Sequence, residues 1–142
     1  MAYVDNNLVL SDAQAVTATA ASTKSIDFAT ATRNVGAGHE LDLVIVVGTA
    51  ATAAGAATVT FALQDSTDNT TFNDVIVSPA IGKATLVAGY EALRITLPRT
   101  LNRYIQVNYT VATGPLTAGT FTAYITDDRQ DNVARPSGFS TF

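Results

Sequence analysis

The chain has 142 residues, 47% of them hydrophobic and only 14% charged, with a formal net charge of −4 and no cysteine. That is enough apolar material for one domain with a core of ordinary size. It excludes disulfides and thiolate metal sites, and eight Lys plus Arg without a basic run argue against direct nucleic-acid binding and against an anionic membrane as partner. The 24 Ala and 22 Thr make a surface that is polar but weakly charged, of the kind that lies against another surface. Met1 to Leu10 has no basic segment followed by a long apolar run, so no secretory leader is expected. Leu43 to Val47, the longest strongly apolar run, is far short of the roughly 20 residues of a spanning helix, and a soluble chain is expected.

In chain order, Tyr3, Val4, Leu8, Val9 and Leu10 surround the polar Asp5, Asn6 and Asn7, and predict a short edge strand or an extended arm. Thr17 and Thr19 alternate with Val16, Ala18 and Ala20, which favours an extended segment over a helix across Ala13 to Ala21. Ser22 to Ser25 reads as a loop and Ile26 to Ala29 as a short strand. Gly36 and Gly38 bracket a turn. The strand after it enters from solvent at Glu40 and Asp42 and becomes buried on both faces through Val47. Gly48 to Gly55 contains only Gly, Ala and Thr and predicts a small-residue loop. Thr58 to Gln64 alternates Val59, Phe61 and Leu63 with polar or small neighbours, a half-buried strand. Asp65 to Asn73 is a polar connection with Phe72 as a plug beneath it. Short strands are expected at Val75 to Val77, before Pro79, and at Lys83 to Val87, before Gly89. Leu93, Ile95 and Leu97 mark another that ends at Pro98.

The clearest pattern runs from Leu101 to Thr126. Ile105, Val107, Tyr109 and Val111 form one row and Tyr104, Gln106, Asn108 and Thr110 the other. After Thr113, Gly114 and Pro115, the alternation resumes with Phe121, Ala123 and Ile125 against Thr120, Thr122, Tyr124 and Thr126. The spacing predicts an antiparallel hairpin with one dry face and one wet face, on which Tyr104 and Tyr124 share a side. Seven to nine short strands without an amphipathic helix predict an all-β sandwich or barrel.

Chemistry has few footholds. His39 is the sole histidine, so a transition-metal site is not expected. Asp65, Asp68 and Asn69 lack the spacing and the glycine of a calcium loop, and read as a solvated turn. Adjacent Asp127 and Asp128 on a strand would face opposite ways, so they do not flank one bond. No nucleophile elbow or phosphate-cradling loop occurs. The expectation is a protein that is not an enzyme and carries no cofactor or metal.

Several strings resemble the jelly-roll capsid cement, or decoration, proteins of tailed bacteriophages: Leu10 to Ser22, Ala88 to Tyr90, the long string Asn102 to Thr126, and Asp128, Arg129, Gln130. The resemblance implies an all-β, single jelly-roll-like antiparallel β-sandwich. It also implies a virion protein on the outer surface of an icosahedral head, clamping neighbouring major capsid subunits and stabilising the expanded shell. Synthesis in the bacterial host's cytoplasm and a dimer or trimer on the capsid go with that picture. The rival classes are a carbohydrate-binding β-sandwich module and a head-completion or tail structural protein.

The 142 residues divide into an extended N-terminal segment at about 1–22, a sandwich core at about 23–127 and a tail at about 128–142. Leu8, Val9 and Leu10, with Phe139 and Phe142, are apolar residues in segments without a strand pattern, and are the candidate capsid or subunit interface. Either the tail reaches onto a neighbour as an arm, or it folds back over an edge of its own sheet.

Overall fold

Strand-forming alternation recurs along the chain, and in the computed structural model, which describes residues 4–29 and 40–127, it becomes ten strands. They are β1 (Val9–Ala15), β2 (Ala20–Ala21), β3 (Ile26–Asp27), β4 (Asp42–Thr52), β5 (Thr58–Ser66), β6 (Asn73–Val77), β7 (Ile81–Gly82), β8 (Glu91–Thr96), β9 (Tyr104–Ala112) and β10 (Ala118–Thr126). Among the described residues the helical element is one 3-10 turn, Asn6–Leu8, whose N-cap Asp5 accepts a hydrogen bond from the Asn7 N–H.

One sheet takes the order β1-β10-β4-β8, the other β2-β9-β5-β6, with β3 also on β9 and β7 also on β5, all pairings antiparallel. Counting β2 with β3, and β6 with β7, as two interrupted strands leaves eight. Every connection between these eight crosses from one sheet to the other except that from β5 to β6. This is the jelly-roll succession, two Greek keys folded face to face. The expected all-β antiparallel sandwich is what the chain forms.

Each strand turns its apolar row inward. Leu43, Ile45 and Val47 of β4 meet Val59, Phe61 and Leu63 of β5, Ile105, Val107 and Tyr109 of β9, and Phe121, Ala123 and Ile125 of β10 in one continuous core. Fully burying a side chain of this size contributes roughly 1.5–3 kcal/mol, and a core of this kind is what offsets the loss of chain entropy. On its other face β4 is buried only at Val44, with Asp42 and Val46 half-buried, so the expected burial on both faces through Val47 holds in part. Val44 is 2% exposed and lies between Tyr124 on β10 and Arg94 on β8.

Four expectations need correction. Leu101 to Thr126 is not a hairpin: β9 belongs to the six-stranded sheet and β10 to the four-stranded one. Thr113 (φ 61) and Gly114 (φ 97) turn the chain across the sandwich, and the buried Leu116 plugs the crossing while its N–H donates to the Thr17 carbonyl. Tyr104 and Tyr124 therefore lie on the outer sides of opposite sheets, Tyr124 buried there rather than on a wet face, and form no shared platform. The small residues from Gly48 do not begin a loop; β4 continues to Thr52 because β10 supplies a partner as far as Ala118. Lys83 to Val87 is a turn rather than a strand, with Leu86 buried.

The fourth correction concerns the start of the chain. Leu10 is fully buried in the core, and β1 is paired along its length with β10, so Leu10 is no part of a free arm. Leu8 packs against the core at its rim. The polar Asn6 and Asn7 form the 3-10 turn that delivers β1 to the sheet edge. Gly36, Gly38, His39, Asp128, Phe139 and Phe142 lie outside the described residues.

Candidate interaction surface

The polar rows that alternate with the core residues interlock across the outside of the six-stranded sheet. Gln106 on β9 donates through Nε2 to Gln64 Oε1 on β5 at 2.8 Å, and Gln64 Nε2 donates to Asp74 Oδ1 on β6 at 2.7 Å. Thr60 stands opposite Thr110, and Ala62 opposite Asn108. Such cross-strand pairs stiffen the face and leave it polar but nearly uncharged. At its end Arg103 makes a two-point contact with the Asp27 carboxylate, at 2.7 and 2.9 Å, and stacks 5.0 Å from the Tyr104 ring centre. The hydrogen bond to Asp27 raises the Arg103 pKa further.

The acidic candidates are occupied locally. Asp68 accepts from Ser66 Oγ and from the N–H groups of Thr70 and Thr71, which pulls its pKa down to about 2. Its turn is closed by Asn69 in the left-handed region at φ 58. Asp65 points elsewhere, accepting from the Asn102 backbone and side-chain amides. The solvated-turn reading of Asp65, Asp68 and Asn69 thus fits Asp68 and Asn69, whereas Asp65 belongs to β5 and is buried. Among the described residues no three His, Cys, Asp or Glu side chains group as metal ligands, and no helix is long and apolar enough to cross a membrane.

A hydroxyl network reaches into the core. Tyr109, fully buried, donates its hydroxyl to Ser11 Oγ at 2.9 Å, and Ser11 in turn donates to Gln14 Oε1. Gln14 also accepts from the Thr23 N–H and donates to the Ala21 carbonyl, so the network ties β1 to β2 and to the segment that follows it. Burial pushes the Tyr109 phenol up to about 12, against the smaller lowering effect of the Ser11 hydrogen bond.

Large apolar side chains left outside are the groups best suited to bind a partner. Val75 and Val77 are exposed on the edge strand β6, and Val87 and Tyr90 on the loop between β7 and β8. None of these was a sequence candidate. Val75 and Val77 lie in a run that reads as a short strand, and Val87 in another, of which Leu86 is the residue that is buried. The usable signal was Gly89 (φ 82), which stops that alternation and marks a loop. Of the sequence candidates, Val9 is half-buried in β1 opposite Tyr124, and Leu8 and Leu10 serve the core.

A family model described as Bbp16, a phage-associated family, matches residues 10–125. The match runs from the core residue Leu10 on β1 to Ile125 on β10, and so takes in both sheets. No curated protein matches the chain.

Proposed function

The chain belongs to the Bbp16 family, and from that membership we propose that it is a phage structural protein of the decoration type, bound to the outside of an icosahedral head. In this reading it clamps neighbouring major capsid subunits, as a dimer or trimer, and has no catalytic role. The observation that carries the proposal is a jelly roll whose six-stranded sheet has a polar outer face locked by hydrogen bonds while valine and tyrosine side chains stand exposed on an edge strand and a loop. A rigid body of this kind buries surface with little backbone ordering cost.

Its action would be linkage. A protein that binds the expanded, closed lattice and no other state stabilises that lattice by its binding free energy. Contact with two capsid subunits at once makes the second contact intramolecular, so individually weak patches hold the shell together.

The test is stoichiometry and add-back. Purified virions should contain the protein in hundreds of copies, the order that repetition over an icosahedral surface requires. Recombinant protein should bind expanded shells that lack it and raise their disruption temperature. Absence from virions, or about a dozen copies per particle as a connector at one vertex would give, overturns the decoration role.

A further inference from the structure

We propose that the loop 83–90 is the knob by which this protein seats on the shell, with Val87 and Tyr90 entering an uncharged apolar recess of a capsid subunit. This rests on the decoration role proposed above. The loop joins β7 to β8, strands on the same open side of the sandwich but in opposite sheets. Its backbone is pinned at both ends. Leu86 is buried in the core and its carbonyl accepts from the Ala51 N–H at 2.9 Å. Gly89 N–H donates to the Val47 carbonyl at 2.8 Å, and Val47 N–H donates back to the Tyr90 carbonyl at 2.9 Å. Lys83 Nζ donates to the Ala53 carbonyl.

A loop held so firmly could have turned its apolar side chains inward, yet Val87 is 52% and Tyr90 36% exposed. Holding them outside in a fixed geometry removes the ordering cost of binding and is the arrangement of an anchor residue entering a pocket. Charge narrows the partner. The one ionic group from 83 to 90 is Lys83, whose ammonium is engaged by the Ala53 carbonyl in the segment between β4 and β5, and the adjoining Glu91 is paired with Arg94 at 2.6 Å. Nucleic acid and anionic membranes select clustered cations, so the complementary surface is a neutral protein recess. Two side chains of a convex loop meeting their own copies fall far short of the roughly 800 Å² per partner of a stable dimer. On a shell the loop acts together with the protein's other contacts, so it need not supply that area alone.

The experiment compares three full-length proteins for binding to expanded shells: wild type, Val87→Ser with Tyr90→Ser, and Val75→Ser with Val77→Ser. Each is also checked for its melting temperature and sedimentation. The backbone bonds of the loop survive the first pair of substitutions, so its melting temperature should match wild type while shell affinity falls about tenfold to a hundredfold. The β6 pair should bind within about threefold of wild type, inside the range of near-neutral peripheral contacts. Unchanged affinity of the loop variant, or an equal loss from the β6 pair, overturns the proposal. Dissociation of a wild-type oligomer by the loop substitutions also overturns it, since the occupant is then a second copy. A wild type that does not bind shells at all is a failure of the decoration role, read in its own arm.

Discussion

Tyr109 and Phe121 stack across the middle of the sandwich, ring centres 5.4 Å apart and planes 20° from parallel, one ring from each sheet. Phe61 meets both edge-on, at 5.8 and 5.3 Å. The three rings form the central contact between the sheets. Phe121→Ala should therefore cost about 3–5 kcal/mol, the range for an aromatic removed from a packed core. Urea denaturation of the free protein measures it, and a loss under about 1 kcal/mol would mean that the sheets are held together elsewhere.

Tyr109 carries an alkaline limit as well. Its pKa of about 12 in the fold lies above the ordinary tyrosine value of 10.0. A raised folded pKa contributes stability that is fully present below the unfolded value, where both states hold the proton. That stability is lost as pH rises from 10.0 toward about 12, where the unfolded chain ionises first. Tyr109→Phe should flatten the stability profile over that window while losing about 1 kcal/mol at neutral pH with the hydrogen bond to Ser11. A profile of unchanged slope in the variant would assign the alkaline transition to another group.

At the acid end Asp68 behaves in the opposite sense. Its depressed pKa contributes stability present above 3.8 and lost as pH falls through about 2. The amide resonances of Thr70 and Thr71 should titrate with that low midpoint, and Asp68→Ala should remove the titration. Midpoints near the ordinary aspartate value would show that the turn is open in solution.

Gly48 faces Thr120 so closely that a Cβ would stand 2.7 Å from its Oγ1, the atom that accepts from the Thr49 N–H. Gly48→Ala should destabilise by about 1–3 kcal/mol, the usual range for overpacking. Thr120→Ala removes the obstructing hydroxyl. In a double-mutant cycle the pair should cost less than the sum of the single changes. Additive losses would place the strain elsewhere.

Leu10 separates core from arm. Leu10→Ala should cost the free protein about 2–5 kcal/mol, as for other buried leucines. Val107→Ala should cost roughly 1–3 kcal/mol. Thr122→Ala, which removes only an exposed acceptor for the Ala13 N–H, should cost well under half of that. Free-protein melting that is insensitive to Leu10 would return this residue to an interface role.

The sequence by itself determined the periodicity, and with it the all-β class, the inward rows of β5, β9 and β10, and the polar turn at Asp68 and Asn69. These are local matters: a strand's side chains alternate whatever it pairs with, and turn residues act on their own backbone. Which strand pairs with which was decided only by the tertiary structure. The alternation at Val107 and at Phe121 reports a dry face, and two dry faces meet equally well side by side in a hairpin or face to face across a core. The five residues between β9 and β10 took the second course because Leu116 is buried at the crossing and Ala118 to Thr126 found β4 and β1 as neighbours. The same long-range pairing turned Gly48 to Thr52 into strand and drew Leu10 into the core, while Leu86 pinned its loop and left Val87 and Tyr90 outside. Exposure of an apolar residue depends on what the rest of the chain has already covered, and no local pattern carries that information.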